Sequence, residues 1–435
     1  MIATVRTLQI WAGLAVIGFV VAWLGVGYEV WGVLAAGALV ATVADGWVAW
    51  RRSAPTVERT VANSLPLGVD TEVMLRMVCP DGVGGPVEIF DGVPEALGAP
   101  EEPLSGELSG EKATVLRYRI HPHERGRFTF EQAYLRRPGP LGLMARQVRV
   151  GPEEERVRVV PNFRAVSSYA LMAVADQMGR LGVRRLRRRG EGMEFDSLRE
   201  YREGDQLRQV DWKATAKHRR VITRQYEDER NQQVVLLFDC GRRMRARDGE
   251  LSHFDHALNA GLLLSFVALQ QGDSVAVGTF GGSRRWVPSQ RGVRAVETIV
   301  DQTFDLQTTT EPSDFSEAAR WLSHLQRRRS LIVFLTNMYD ADSDELDQAL
   351  ALLGQRHVIL VASLKETAVE ELKEAPVEYF DDALQVSATH AFLDHRRELH
   401  GQLARSGGLL LDVQPSELSV SLVNRYLEIK RSGRL

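Results

Sequence analysis

The sequence predicts a multidomain chain: an N-terminal transmembrane helical hairpin, a small β-sandwich, and an α/β domain on a mostly parallel, Rossmann-like sheet. Three observations predict it. Two long apolar runs open the chain, short alternating segments cut by Gly, Pro and Asp follow, and continuous apolar runs alternate with amphipathic stretches beyond residue 232. The expected division is 1–54 for the hairpin, 55–165 for the sandwich, 166–231 for a basic linker with a charged signature, and 232–435 for the α/β domain. A chain of 435 residues is too long for one ordinary core.

The hairpin rests on residues 7–28, which carry no charge, and on residues 30–50, where Asp45 is the one carboxylate. A helix needs about 20 apolar residues to cross the hydrocarbon layer, and each run supplies that. Trp23, Tyr28, Trp31, Trp47 and Trp50 fall near the expected ends, where amphipathic rings favour the headgroup region. Gly32, Ala36, Gly37 and Ala41 form small-xxx-small pairs that predict close packing of the second helix on the first. The second run directly behind the first argues against a cleaved signal peptide. Arg6 precedes the hairpin, Arg51 and Arg52 follow it, and the turn carries only Glu29. The positive-inside rule then places both ends, and everything after Arg52, in the cytoplasm beneath the plasma (inner) membrane. Asp45, about a turn from Arg51, is expected to snorkel or pair there.

Segments 72–78, 114–120 and 156–160 alternate apolar and polar residues between turn-rich stretches, as strands of a sandwich do. Segment 97–112 is polar and reads as an exposed loop. His121 and His123 have no further ligand nearby, so a metal site there is not expected. Between Arg180 and Arg189 six arginines crowd ten residues. A solvated face is the plain reading, and anionic lipid headgroups the alternative contact; nucleic acid is not expected, because stacking aromatics are missing there.

In the last region, runs 234–238, 274–280, 331–335, 358–362 and 409–413 are apolar and strand-like, and 254–271 and 314–326 are amphipathic between them. Apolar strands with helical crossovers predict a sheet covered on both faces. Its site belongs at the carboxyl ends of the strands, here Asp239 to Arg243 and Thr336–Asn337. Formal charge is near balance, 54 Lys and Arg against 57 Asp and Glu, and does not predict a global nucleic-acid binder. The two cysteines, Cys79 and Cys240, lack metal or disulfide spacing and fit a reducing compartment. Phosphate-loop, HExxH, GxSxG and paired CxxC patterns are missing. His253 and His256, three apart, share a helix face and with Asp255 could be arranged as metal ligands, but they read as a helix start, and Cys240 as a small buried hydrophobe.

Just before that sheet lies a dense alternation of charges. Phe195, Leu198 and Tyr201 fall at helical spacing, Gly204 and Asp205 make a turn, and Leu207, Val210 and Trp212 supply a second apolar set. Asp196, Arg199, Glu200, Arg202, Asp205, Arg208, Asp211 and Lys213 interleave with them, which suggests a partly buried ion-pair network around Trp212. The stretch resembles the signature of the bacterial family catalogued as domain of unknown function 58. The resemblance rests on Glu194, Phe195, Asp196, Ser197, Leu198, Arg199, Glu200 and Tyr201, then Gly204, Asp205, Arg208, Asp211, Trp212, Lys213 and Ala216. His121, Pro122, Arg125 and Gly126, with Pro140, Leu141, Gly142 and Leu143, are similar to the family's upstream β region.

The resemblance implies two leading membrane helices and a trailing von Willebrand factor A-like domain. It also implies a MoxR-type AAA+ ATPase as partner, in assembly or activation of an unknown client protein, with no established enzymatic activity. Metal-binding A domains end their first strand in Asp-x-Ser-x-Ser, with a Thr and an Asp from later loops. The matching positions are Asp239, Gly241, Arg243, Ser313 and Asn337, so Mg²⁺ is not expected and no cofactor is implied. The expected function is a membrane-anchored, non-enzymatic scaffold or adaptor, touching lipid through residues 7–50. The alternative is a metal-dependent hydrolase with an unfamiliar site at the carboxyl edge of the sheet.

Overall fold

A computed structural model describes residues 1–25, 27–162, 194–202, 210–227, 232–338, 343–373 and 376–435. The chain divides into two compact units, Met1–Val160 and Pro161–Leu435.

In the first unit a short strand, β1 (Ile2–Ala3), leads into α1 (Val5–Leu24) and α2 (Tyr28–Arg51). Both helices are long and apolar enough to cross a membrane. Thr4 caps α1 by accepting from the Thr7 N–H, and Gly25 ends it in the left-handed region at φ 69°. The close approach between the helices lies elsewhere than expected. A Cβ on Gly32 or Gly37 would meet nothing, whereas one on Gly18 would stand 2.8 Å from the Trp31 indole nitrogen. That nitrogen donates to the Leu14 carbonyl at 2.9 Å. The helices meet through one tryptophan laid on a glycine, which pattern reading in the second helix does not reveal.

Nine further strands follow: β2 (Thr56–Thr60), β3 (Ser64–Pro66), β4 (Thr71–Val78), β5 (Gly85–Gly92), β6 (Leu104–Leu108), β7 (Thr114–Ile120), β8 (Gly126–Pro138), β9 (Met144–Val150) and β10 (Glu155–Val160). They form a three-stranded sheet, β2-β4-β7, and a seven-stranded sheet through β1-β9-β8-β10-β3 with β5 and β6 attached at β8. The polar segment 97–112 is therefore not all loop. β6 pairs with β5 and buries Leu108, since alternation over five residues suffices once a partner edge is offered. A buried charge network joins the two sheets. Arg59 of β2 donates to Asp91 of β5, and the Tyr118 hydroxyl of β7 donates to the same carboxylate at 2.5 Å. Burial pushes the Tyr118 phenol well above its ordinary range.

Asp45 does not reach for Arg51. Its carboxylate, in a residue 2% exposed, accepts backbone N–H groups from Leu141 at 2.7 Å and from Leu143 and Met144 at 2.8 Å. Three donors converging on one carboxylate outcompete an exposed pair with arginine.

The second unit opens with β11 (Glu194–Glu200) paired antiparallel to β12 (Ile222–Glu227). Its sheet comprises β13 (Gln233–Asp239), β16 (Ser274–Phe280), β17 (Trp286–Arg291), β18 (Leu331–Thr336), β19 (Val358–Leu364) and β20 (Leu409–Val413), with the small hairpin β14 (Arg247–Asp248) and β15 (Leu251–Ser252) beside it. The order is β17-β16-β13-β18-β19-β20, parallel except for the edge strand β17. Alternate residues of β13 feed opposite cores. Val234, Leu236 and Phe238 pack with helices His253–Gln270 and Leu418–Arg431, while Val235 and Leu237 pack with Phe315, Leu322, Leu350 and Leu403. The sheet is thus covered on both faces, which is why its central strands β13 and β18 are almost wholly apolar.

Candidate functional site

The strand order reverses between β13 and β18, since the chain runs outward from β13 to one edge and then returns to β18. Their carboxyl ends form a switch point, the place where ligands gather in open α/β sheets. Asp239 ends β13 there and is 0% exposed. Its Oδ1 accepts from the Gly241 N–H at 2.8 Å and the Ser313 hydroxyl at 2.5 Å. Oδ2 accepts from the Thr336 hydroxyl at 2.6 Å and stands 3.7 Å from Arg243 Nε. Burial pushes the Asp239 carboxyl up, while those hydroxyl and backbone donors and Arg243 pull it down, with burial the larger effect. Gly241 is sterically required: a Cβ there would collide with the Ser313 hydroxyl and sit 3.0 Å from Asp239 Oδ1.

Arg243 follows Asp239 by one turn. Its Nη1 donates to the Asn337 carbonyl at 3.1 Å, and the guanidinium lies 5.6 Å from the Phe315 ring centroid. The Asn337 amide donates to Glu366 at 3.1 Å and accepts from Arg396 at 3.3 Å. Arg396, 7% exposed on helix Phe380–Arg405, extends the network across the sheet end. It donates to the Met338 and Leu364 carbonyls, the Ser363 hydroxyl at 2.9 Å, and Asp412 at 2.7 Å.

All five positions expected from the A-like pattern, Asp239, Gly241, Arg243, Ser313 and Asn337, come together. They do not form a contact surface, however. Asp239, Ser313 and Asn337 are buried, and of residues 239–243 Arg242 alone is exposed. Thr336, expected at the site as a strand end, joins the network, and Glu366, Arg396 and Asp412 complete it without having been singled out. The available signal was polar residues breaking apolar strands, as Asp412 does in β20.

His253 and His256 begin helix His253–Gln270, where Ser252 and Asp255 form a capping box. Burial lowers the affinity of both imidazoles for a proton. Cys240 is buried, and Cys79 is as well. His121 Nδ1 lies 2.7 Å from Asp70. Among the described residues no group of three His, Cys, Asp or Glu side chains is placed to hold a metal ion.

The charged signature differs most from expectation. Phe195 and Leu198 lie on β11, which pairs with β12 from Glu194↔Glu227 to Glu200↔Ile222 with a bulge between Phe195 and Ser197. Seven residues are too few to separate helical from strand period, and the ladder to β12 decides. Trp212 is not buried in charge; it opens the helix Trp212–His218 and is 68% exposed. Asp211 is the N-cap of that helix, accepting from the Ala214 N–H at 3.0 Å. Glu200 pairs with Arg220 at 2.6 Å on the surface. Gly204, Asp205, Leu207, Arg208 and the arginine stretch 180–189 lie outside the described residues.

Residues 197–393, spanning this hairpin and most of the sheet, match the family described as Protein of unknown function DUF58. Over these residues the chain is similar to that family. Among curated proteins none matches this chain. Among solved structures, the CARDB domain of a Pyrococcus furiosus protein, crystallised with di-metal ions, is 15% identical over 25% of this chain and 94% of its own, with a TM-score of 0.18. The solution structure of a CARDB domain from Pyrococcus furiosus gives 15% identity, 24% and 93% coverage, and a TM-score of 0.17. Proximal thread matrix protein 1 of the mussel byssus gives 10% identity, 44% and 46% coverage, and a TM-score of 0.28. At these TM-scores none of the likenesses bears on the fold or the function of this chain.

Proposed function

We propose that this DUF58 protein is a membrane-anchored, non-enzymatic scaffold whose α/β unit is a von Willebrand factor A-like interaction domain. In this reading it works with a MoxR-type AAA+ ATPase on a client complex, held at the inner membrane by the hairpin with everything after Arg52 in the cytoplasm. The observation that carries the reading is the Asp239 cluster. An aspartate ending the first strand of the sheet, at the switch point, held by Ser313 from a later loop and by Thr336 at the end of β18, resembles the arrangement an A-type adhesion site uses. Arg243 stands where such a site would place a metal ligand. A permanent cation already faces Oδ2, and both carboxylate oxygens accept protein donors. That donor set suits a guanidinium and fits Mg²⁺ poorly, because Gly241 offers no side-chain oxygen and Asn337 no charge. Arg6, Arg51 and Arg52 flanking the hairpin support the cytoplasmic orientation.

The test is affinity capture of the full chain from solubilised membranes, beside an Arg242→Glu variant, with the captured proteins identified. The expected result is enrichment of an AAA+ ATPase by the wild type and its loss from the variant. Metal-dependent hydrolytic turnover by the purified chain, or capture without any AAA+ ATPase, would overturn the reading.

A further inference from the structure

The hairpin and the β region of the first unit are joined by more than a covalent linker. The turn between β8 and β9 is seated on the two helices, and each of its backbone donors is used. The Gly139 N–H donates to the Met144 carbonyl, the Gly142 N–H to the Gly139 carbonyl, and the N–H groups of Leu141, Leu143 and Met144 to Asp45. Pro140 has no N–H to satisfy. On the acceptor side, the Thr4 hydroxyl donates to the Gly142 carbonyl at 2.6 Å, and the Leu143 carbonyl receives the Thr4 N–H at 3.0 Å and the Thr7 hydroxyl. β1 adds itself to β9 at Met144 and Ala145. Gly139 lies so close to Asp45 that a Cβ would collide with the carboxylate.

The depth of this contact follows from helix geometry. From Tyr28 to Asp45, α2 rises about 26 Å, whereas a hydrocarbon core is about 30 Å thick. If Tyr28 marks one edge, Asp45 has not yet reached the other. The turn bonded to Asp45 and Thr7 is held at the same level. Irregular backbone is tolerated at such depth when its polar groups find partners within the protein, and every N–H of this turn, with the Gly139, Gly142 and Leu143 carbonyls, finds one. Its tip, Leu141, is 56% exposed and carries an apolar side chain. Below it, toward the β region, stand Trp47, Trp50, Arg51 and Arg52, with Arg51 stacked 4.1 Å over the Trp47 ring and Arg146 donating to the Trp50 carbonyl at 2.9 Å. Aromatic rings and arginines in this order are the side chains that favour the headgroup layer.

We propose that the turn Pro140–Leu143 is a third membrane contact, sunk into the near leaflet with Leu141 in lipid and Arg51 and Arg146 at the headgroups. The inference rests on the hairpin spanning the membrane. The β region is then not a free domain on a tether but is clamped against the bilayer in one orientation.

The test uses the full chain in nanodiscs of phosphatidylethanolamine and phosphatidylglycerol, with an environment-sensitive fluorophore on a single introduced cysteine. Leu141→Cys reports the turn, Leu34→Cys the middle of the hairpin, and Val115→Cys an exposed strand position of the same unit. Cys79 and Cys240 are buried and label poorly. The expected result is quenching of the Leu141→Cys label by nitroxide lipid and not by aqueous iodide, with Val115→Cys showing the reverse. Adding Asp45→Asn should return the Leu141→Cys label to iodide while the Leu34→Cys label stays in lipid. A Leu141→Cys label quenched by iodide, beside a Leu34→Cys label in lipid, overturns the contact and leaves the spanning hairpin intact. Iodide reaching Leu34→Cys removes both.

Discussion

Arg396 is the residue whose removal tells most about the second unit. Its guanidinium ties helix Phe380–Arg405 to the ends of β18, β19 and β20 through Asn337, Met338, Ser363, Leu364 and Asp412. In Arg396→Ala the Asp412 carboxylate, with a side chain 13% exposed, loses its cation, and two carbonyls lose a charged donor. Removing one partner of a buried pair costs about 3–5 kcal/mol, and 4 is a fair centre here because both side chains are nearly dry. For a unit the size of Pro161–Leu435, about 2 °C of melting temperature accompanies each kcal/mol, so the transition should fall by about 8 °C. Arg396→Lys keeps the charge beside Asp412 but gives up the planar fork, and should lose about half as much. Calorimetry of the solubilised full chain measures the shift, and hydrogen exchange assigns it to the amides of β18–β20. An Arg396→Ala protein melting within a degree of wild type would refute the view that this arginine fastens the sheet end. So would a lysine variant no better than alanine.

Three further outcomes follow from the geometry. Asp211→Ala should cost about 1 kcal/mol, the worth of an N-cap, and Asp211→Asn much less; a loss of about 3–5 kcal/mol would instead restore a buried ion pair. Gly241→Ala should destabilise by several kcal/mol, because the new Cβ meets the Ser313 hydroxyl and Asp239 with no space to relax, and a normal thermal melt would contradict that. Burial holds the imidazoles of His253, His256, His357 and His400 below their ordinary proton affinity. The unfolded chain therefore binds more protons than the folded one below about pH 6.5, and stability should fall as the pH goes down from 7.5 to 5.5. A melting temperature flat across that window would count against it, and His256→Asn should reduce the slope.

The architecture of the second unit was readable in the sequence because its central strands are buried on both faces and so are almost wholly apolar. Helix Phe315–Leu325 was readable too, since Asp314 caps it where the amphipathic pattern begins. The charged signature misled because a seven-residue strand fits both periods and its partner, β12, lies beyond an intervening helix. Position 239 was legible as a strand-end carboxylate, and its arginine was expected. Arg396 was not, because on its own helix it is one charge among many, and only the folded sheet brings Ser363 and Asp412 to it. Asp45 failed for the same reason: its donors lie 96 to 99 residues away.

That separation also sets a clock. Synthesis runs from the N-terminus, so α2 is complete long before the ribosome has made Leu141 to Met144. At about 5–20 residues per second, Asp45 waits roughly 5–20 s for the donors it binds in the finished protein. During that interval an apolar helix carries a carboxylate with none of those partners, and Ile2 and Ala3 have no strand to join. The first unit is thus closed last at its very beginning, and a nascent chain stalled before residue 140 holds a hairpin whose seat does not yet exist.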